Sequence, residues 1–302
     1  MKFKENLINK FKNIIYLIIG NILFFKLIRI ITYKKLVNKI FVINYHNTYG
    51  VHEKNFIWQI NFYKKYFKII DYQKLVQIKK NKKIVSKKPL LLITFDDGHK
   101  SNFEMATKVL NPRKIKAIFF LAPKFINFHW PINLTKQCAI SKKRFNIPCN
   151  YDFEKRDGRK RIAMTWKDIM YLQNNGHTIG SHGMSHVRLS DRLSQKKINY
   201  EISTSKKFLE KKLKTKIETF CWIGGERWAY SFNAHKAIIK ADYKYSFMTC
   251  AKIFDPIKDD KLKVHRFNIE SFFSKNQVRA TISFFYSLYY LPKRKYINKI
   301  IK

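Results

Sequence analysis

The chain has 302 residues, of which 46% are hydrophobic, so it is long enough and apolar enough to bury a substantial core. This composition excludes a chain that is disordered throughout. The 62 Lys and Arg residues against 20 Asp and Glu give a formal net charge of +42, which favours an anionic partner. Lys, Ile and Asn are all abundant and the lysines are spread along the whole chain, so compositional drift explains much of the excess. No zinc-finger spacing or RNA-binding motif accompanies the charge, so we expect an anionic membrane surface as a partner and no specific nucleic acid.

Residues 1–40 form a basic and apolar N-terminal segment. Within it, residues 14–25 (IIYLIIGNILFF) are apolar but too few for an ordinary membrane span, and no small-residue cleavage site follows them. We expect an uncleaved helix that lies in the membrane interface. The protein would then be membrane-associated, in the cell envelope or on the cytoplasmic face of the membrane, with the side left open. The alternative is a structural helix that covers one end of the domain.

From residue 41 onward, strand-like and helix-like segments alternate, which predicts a parallel α/β sheet. The strand-like segments are 41–46, 67–70, 90–95, 117–121, 176–180, 219–223, 245–249 and 263–267. Helices are expected at 55–67, 75–80, 103–110, 165–174, 194–212, 234–241 and 278–290. Residues 127–160 carry few periodic signals, and we interpret them as an insertion over one face of the domain.

The four cysteines give no metal-binding or redox motif. They are Cys138, Cys149, Cys221 and Cys250, with no C-x-x-C pairing. We expect reduced thiols, several of them packed in the core. Cys138 and Cys149 could form a bridge in an oxidising compartment, but nothing in the sequence demands it.

The strand-like segment 90–95 ends in two adjacent carboxylates, Asp96 and Asp97, followed by a glycine that allows a sharp turn. Carboxylates at the end of a buried strand are costly unless a positive group meets them. His182 and His186 follow another strand-like segment, and one carboxylate with two histidines is a known ligand set for a divalent metal. The other carboxylate is then free to act as a base. The competing interpretations are an aspartate N-cap for the next helix and histidines satisfied within the core or at the surface.

The stretches Thr94–Gly98 and Ser181–His186, in this order, resemble the first two motifs of the polysaccharide deacetylases, the NodB-homology group or carbohydrate esterase family 4. Further resemblance runs from Tyr45 to about Tyr290. It implies that residues 41–302 form a distorted (β/α) barrel of about seven strands, with the active site at the carboxyl ends of the strands. It also implies hydrolytic removal of an acyl group from an N-acylated amino sugar in a surface glycan, an exopolysaccharide or a lipid-linked sugar.

The resemblance also assigns roles to the residues of the two motifs. It implies that Asp96 is the general base and that Asp97, His182 and His186 bind the metal. Zn²⁺ is the default metal, with Co²⁺, Ni²⁺ and Mn²⁺ as alternatives.

Residues 220–225 (FCWIGG) occupy the place of the family's third motif, whose loop donates a backbone N–H to the oxyanion. Gly224 and Gly225 are our candidates for this donation, since it needs no particular side chain. The arginine that orients the base in the family is absent from this motif, and we expect Glu226 and Arg227 to substitute for it in part. These departures leave open an alternative function, a non-catalytic protein that binds glycan or lipid-linked sugar on the same fold.

The general acid is not assigned by the motifs. Residues 264–269 match a late strand that carries a histidine or an arginine in the family, and here they offer His265 to protonate the leaving amine, or Arg266. Adjacent residues on a strand point to opposite faces, so only one of the two can face the pocket, and we favour Arg266. His46, after the first strand, is another candidate at the same rim, or else a histidine that closes the strand end.

The aromatic run at 284–290 (FFYSLYY) precedes a basic cluster at 293–295. We expect it to make a second contact with the membrane interface, beside the N-terminal segment. The alternative is a barrel-closing core followed by a solvated tail.

Overall fold

The computed structural model describes residues 16–128 and 132–302, so the beginning of the apolar segment 14–25 lies outside the described residues. Every pairing between the named strands is parallel. The strands are β1 (Ile40–Tyr45), β2 (Lys68–Ile70), β3 (Leu90–Phe95), β4 (Ile118–Leu121), β5 (Thr178–Ser181), β6 (Thr219–Cys221), β7 (Tyr245–Met248), β8 (Val264–His265) and β9 (Phe267–Asn268).

The strands close into a barrel. Neighbouring strands follow the order β8, β7, β6, β5, β4, β3, β1, β9, and β2 pairs only with the first half of β3. β8 and β9 are the two halves of one extended segment that is interrupted at Arg266. The first half pairs with β7 and the second half pairs with β1, so this segment completes the ring. The distorted (β/α) barrel of about seven strands that the resemblance implies is therefore confirmed.

Helices connect the strands around the outside of the ring. The α-helices are Ile22–Leu36, Glu53–Tyr66, Tyr72–Asn81, Lys100–Met105, Pro123–Asn127, Leu134–Ile140, Tyr151–Arg156, Trp166–Asn174, Gln195–Asn199, Ser205–Leu213, Phe232–Lys240, Lys275–Thr281, Phe284–Tyr289 and Leu291–Ile300. Wider π-type turns lie at Ala106–Leu110, Ser141–Phe145 and Tyr200–Thr204, and 3₁₀ turns lie at Gly50–His52, Asn111–Arg113 and Arg227–Ala229.

Polar side chains cap the starts of several of these helices. Thr165 forms a capping box with Asp168, and Ser194 accepts a hydrogen bond from the Lys197 amide. The single helix expected at 278–290 is instead two helices, because the Ser283 side chain accepts from the Tyr286 amide and starts a second one.

The barrel strands are buried on both faces, and their residues alternate between two apolar clusters. Leu90 and Leu92 pack with Val264 and Phe120 in the barrel interior. Leu91 and Ile93, which alternate with them, pack against the surrounding helices. Because successive side chains point to opposite faces, Asp96 shares the interior parity of Leu90 and Leu92.

Residues 132–160 pack over the carboxyl end of the barrel and are held by a disulfide bond. Cys138 and Cys149 are bridged, with their Cα atoms 5.2 Å apart, because the turn after residue 145 brings the chain back against the helix that carries Cys138. The expectation of reduced thiols is therefore wrong for this pair. Cys221 and Cys250 are free and buried, as expected.

The helix Ile22–Leu36 buries one side against the domain through Phe25, Ile28 and Leu36. Asn21 caps its start by accepting from the Leu23 amide at 2.9 Å. Within the described ranges, no helix is both long enough and apolar enough to cross a membrane.

Candidate active site

A cavity of about 600 Å³ opens at the carboxyl ends of the barrel strands. It is lined by most of the residues that the sequence nominated, namely His46, Asp96, Asp97, His182, His186, Gly224 and Gly225. A larger surface cavity of about 920 Å³ lies elsewhere, between lysine-rich segments, and none of these residues lines it. The cavity at the strand ends is therefore the candidate site, in the position that a (β/α) barrel predicts.

The turn after β3 directs Asp97 toward the two histidines. Asp97 (φ +74°) and Gly98 (φ +92°) both adopt the left-handed conformation, and a Cβ on Gly98 would lie 2.7 Å from Ile126 Cδ1. Asp97 Oδ1 lies 3.4 Å from His182 Nε2 and 3.2 Å from His186 Nε2. The glycine that follows the two carboxylates is thus what allows the second of them to turn into the cavity.

This trio fits a divalent metal. His182 Nδ1 donates to the Cys221 carbonyl at 3.0 Å, and His186 Nδ1 donates to the Phe145 carbonyl at 2.7 Å. The hydrogen bonds fix the tautomer that leaves both Nε2 lone pairs free for a metal. One ligand atom from each of the three residues lies within 4.8 Å of the others. Both Asp97 oxygens are buried and find no hydrogen-bond partner among the residues that the structure describes.

The electrostatics of Asp97 agree with this assignment. Burial alone would raise the pKa of its carboxyl, but His186, His182 and His99 hold the pKa well below its usual range when their nitrogens carry protons in place of a metal. His99, which the sequence analysis did not single out, lies behind the carboxylate, with Nε2 at 3.5 Å from Asp97 Oδ2. Asp97 therefore stays ionised and available as a ligand.

The loop that carries the histidines is held by Glu201, a buried residue that the sequence analysis missed. Glu201 Oε2 accepts from the amides of Met184 at 2.9 Å and Ser185 at 2.8 Å, and its other oxygen accepts from the Ser185 hydroxyl. Lys197 lies one turn earlier on the same helical segment and pairs with it at 2.8 Å. The only available signal was that Glu201 is one of two acids within a lysine-rich helix.

Asp96 is held by an arginine from the closing strand, whose second half is separated from β3 by β1 alone. Arg266 donates to both carboxylate oxygens, with Nη1 2.7 Å from Oδ1 and Nη2 2.8 Å from Oδ2. Burial alone would raise the pKa of Asp96, but the guanidinium, with His182 and His46 nearby, keeps it below its usual range. Cys221, at the third-motif position where the family has arginine or a small residue, lies with Sγ 2.9 Å from Arg266 Nη2. The missing guanidinium is therefore supplied from the closing strand.

Alternation along the closing strand separates Arg266 from His265. Arg266 shares the interior parity of Val264 and contacts Asp96, whereas His265 points away from the interior; neither residue lines the cavity itself. Burial and nearby cations lower the pKa of His265 to about 3, so it is neutral. The structure brings Arg266 to the site, and the nomination of His265 as a catalytic acid is corrected.

The expected substitution by Glu226 and Arg227 is also corrected. Glu226 pairs with Arg188, with Oε1 2.9 Å from Nη2, and Arg227 lies over the ring of Tyr296 at 5.2 Å. Glu226 Oε2 also accepts a hydrogen bond from the Gly225 amide at 3.1 Å. Because the Gly225 amide is engaged, Gly224 stays the better candidate for oxyanion donation.

His46 stands at the rim with a carboxylate behind it. Its Nδ1 lies 2.7 Å from Glu270 Oε1, and its Nε2 lies 3.9 Å from Asp96 Oδ2. Burial lowers the pKa of His46, but Glu270 outweighs burial and raises the pKa to about 10. Glu270 was not found from the sequence, where its only signal is an acid just after the closing strand.

Comparisons with known proteins were made for both sequence and structure. The family model described as polysaccharide deacetylase matches residues 83–246, which is more than half of the chain. No curated protein matches the sequence at a significant level.

Among solved structures, the deacetylase PplD from Streptococcus pyogenes, solved with acetate, is 16% identical at a TM-score of 0.60, over 81% of this chain and 98% of that one. IcaB from Ammonifex degensii is 18% identical at a TM-score of 0.61, over 80% and 96%. A de-N-acetylase from Aggregatibacter actinomycetemcomitans is 15% identical at 0.61, over 81% and 100%. These likenesses show the same fold. Together with the match to the family model, they establish that the chain belongs to the polysaccharide deacetylase family.

Proposed function

We propose that the chain is a metal-dependent hydrolase that removes an acetyl group from an N-acetylated amino sugar. Membership of the family gives deacetylation of a glycan as the class of reaction. One observation carries the finer proposal. The carboxylate of Asp97, which has no hydrogen-bond partner among the described residues, faces two preoriented histidines in the cavity that Asp96, held by Arg266, also lines. This arrangement combines a ligand set for a metal with a separate base.

The chain's own residues divide the work of hydrolysis. A divalent ion, by default Zn²⁺, held by Asp97, His182 and His186 would polarise the acyl oxygen and make water more acidic. Asp96, kept ionised by Arg266, would take a proton from the water that attacks the acyl carbon. His46, kept protonated by Glu270, would give a proton to the amine nitrogen as the C–N bond breaks. The products are acetate and the free amino sugar.

The walls of the cavity suit a carbohydrate. Asn47, Asn146 and Asn268 line it. The side chains of Asn47 and Asn268 are already held by hydrogen bonds to the Pro148 carbonyl and to Asn44, so their remaining lone pairs and the exposed amide of Asn146 are what can meet hydroxyl groups. Phe272, also in the wall, is 56% exposed and presents an apolar ring beside these polar groups. Precisely placed polar groups beside an apolar surface are the usual composition of a small-ligand site. The sugar would belong to a surface glycan, an exopolysaccharide or a lipid-linked precursor.

The alternative of a non-catalytic binding protein rested on the departures in the third motif. Arg266 fills the position of the absent guanidinium, so that departure no longer argues against turnover. A protein without turnover would also have no need of the Asp97 carboxylate and two tautomer-fixed histidines around one point. We therefore favour the enzyme.

Comparing Asp96→Asn with Asp97→Asn tests the division of labour. Wild-type protein should carry stoichiometric metal and release acetate from N-acetylglucosamine oligomers. Asp96→Asn should keep the metal and lose turnover by about 10²- to 10⁴-fold, the usual contribution of a general base. Asp97→Asn should lose both metal and turnover.

Metal content is measured by elemental analysis and turnover by acetate release. Asp242→Asn, at an exposed carboxylate paired with Lys244, serves as the control and should behave like the wild type. Wild-type protein without stoichiometric metal, or full turnover by Asp96→Asn, would contradict the proposal.

A further inference from the structure

The helix Ile22–Leu36 is apolar on its outer side as well as on its packed side. Leu23, Leu27, Ile30 and Ile31 are 71%, 52%, 75% and 71% exposed. Their spacing of four, three and one residues places them in one stripe along the helix. Because these side chains are mostly exposed, the stripe lacks an apolar neighbour within the described part of the chain, and an exposed apolar patch of this kind usually marks an interaction site.

A second apolar element lies beside this stripe. The ring of Phe285, in the helix Phe284–Tyr289, stacks on the ring of Phe24 at a centroid distance of 6.3 Å. Leu288 and Tyr289 on the same short helix are 45% and 68% exposed. The two helices therefore present one continuous surface, which we call the apolar face (Leu23, Leu27, Ile30, Ile31, Phe285, Leu288 and Tyr289).

Lysines border the apolar face along the helix Ile22–Leu36. Lys26, Lys34 and Lys35 are exposed on this helix. No carboxylate among the described residues lies within ion-pairing distance of any of them. Lys34 and Lys35 lie one helical turn beyond Ile30 and Ile31, so two lysines directly follow the exposed apolar side chains at the end of the stripe. An apolar patch bordered by unpaired cations is complementary to an anionic surface with a hydrocarbon interior.

The apolar face adjoins the catalytic cavity. Tyr290, which follows the aromatic helix, lines the cavity together with Lys293. Tyr290 also lines a separate crevice of about 230 Å³, whose other walls include Tyr16, Ile19 and Phe285. A surface seated against this face would therefore lie next to the mouth of the cavity.

We propose that the apolar face is a docking surface for an anionic lipid bilayer, which it enters to the depth of the interface, and that docking holds the catalytic cavity next to the lipid headgroups. The exposed leucine and isoleucine side chains supply the apolar contact, and the lysines attract the anionic headgroups. A substrate attached to lipid would reach the cavity without leaving the membrane surface. The proposal concerns binding and does not depend on turnover.

Vesicle co-sedimentation of the full chain tests the proposal. Wild-type protein should bind vesicles of phosphatidylglycerol and phosphatidylcholine much more strongly than vesicles of phosphatidylcholine alone. The double variant Leu27→Gln with Ile30→Gln should weaken binding by about tenfold or more, because it removes apolar contact without changing charge. Lys34→Gln with Lys35→Gln should weaken binding to the anionic vesicles by a similar factor and reduce its dependence on salt.

Ile239→Gln is the matched control. Ile239 is 53% exposed on the helix Phe232–Lys240, which packs on the helix Gln195–Asn199 and carries no residue of the apolar face. This variant should bind vesicles like the wild type. All variants should keep the wild-type melting temperature and the wild-type release of acetate from soluble oligomers, because none of the changed residues lines the cavity.

Several results would overturn the proposal. One is equal binding to both kinds of vesicle, and another is wild-type binding by the leucine and isoleucine double variant. A third is a dimer in solution that the same double variant converts to a monomer while vesicle binding is unchanged, which would assign the apolar face to a second copy of the chain. Loss of acetate release with intact vesicle binding would count against the proposed function and leave the docking surface standing.

Discussion

Arg266 is the residue that fixes both the direction and the ionisation of Asp96. Its guanidinium opposes the effect of burial, which alone would raise the pKa of the carboxylate. In Arg266→Gln the pKa of Asp96 should therefore rise, and the base should become protonated at a higher pH than in the wild type. The acidic limb of the pH profile of kcat/KM should move to higher pH. Loss of two charge-assisted hydrogen bonds should also lower kcat/KM by roughly 10- to 100-fold near neutral pH.

The measurement is the pH profile of acetate release by metal-loaded protein. Arg266→Lys keeps the charge but not the two-pronged geometry, so its acidic limb should lie between those of the wild type and Arg266→Gln. An acidic limb that does not move in Arg266→Gln, with metal content unchanged, would show that Arg266 does not control the base.

How far the site could be predicted depends on how local its residues are. Asp96, Asp97, His182 and His186 stand in two short motifs, each directly after a strand, and the structure brings all four into one cavity. Arg266 and Glu270 contact Asp96 and His46 across separations of 170 and 224 residues. Because adjacent strand residues point to opposite faces, only one of His265 and Arg266 can face the barrel interior. Which of them does so is set by how the closing strand packs, and the structure places Val264, and therefore Arg266, on the interior side. The pairing of Glu226 with Arg188 is likewise a contact between separate loops.

At the scale of elements, the histidine loop depends on the helix that follows it. Glu201 binds two consecutive amides between His182 and His186, so it fixes the backbone on which both ligands stand. In Glu201→Gln the charge-assisted hydrogen bonds weaken, and we expect metal affinity to fall by about tenfold, the lower end for residues that support metal ligands. Turnover at saturating metal should stay near the wild-type value, because Glu201 does not line the cavity.

Metal affinity is measured by competition with a chelator, and turnover is measured at several metal concentrations. Glu210→Gln, at a partly exposed carboxylate on the next helical segment, is the matched control and should keep wild-type affinity. A loss of turnover in Glu201→Gln that excess metal does not restore would rule out a role confined to positioning the loop.

The elements themselves were predictable where their signals are short-range. β3 begins and ends at the expected residues, and the helix expected at 165–174 forms behind a Thr165 cap, because strand burial and capping depend on neighbouring residues. The expected strand at 263–267 is instead split at Arg266, because its two halves pair with strands on either side of the ring. The Cys138–Cys149 bridge depends on a turn within a segment that carries few periodic signals. Barrel closure and the bridge are both set by contacts that no local pattern contains.

At the scale of the whole molecule, charge rather than packing sets the response to salt. With 62 basic and 20 acidic residues, most positive groups have no carboxylate to pair with, so the folded chain repels itself. Screening shortens the reach of this repulsion from about 30 Å at 0.01 M ionic strength to about 8 Å at 0.15 M. The same screening weakens ion pairs such as Lys39–Asp255, but the excess of one sign of charge makes relief of repulsion the larger effect.

We therefore expect the melting temperature to rise by several degrees between these two ionic strengths, at constant pH and metal. Calorimetry in sodium chloride gives the measurement, and a sucrose solution of equal osmolality gives the control, because it adds solute without screening. Since unfolding spreads the chain and lowers its charge density, added salt relieves repulsion more in the folded state than in the unfolded state. A melting temperature that stays constant or falls with salt would contradict this expectation. It would mean that the ion pairs stabilise the folded state by at least as much as repulsion between the unpaired lysines destabilises it.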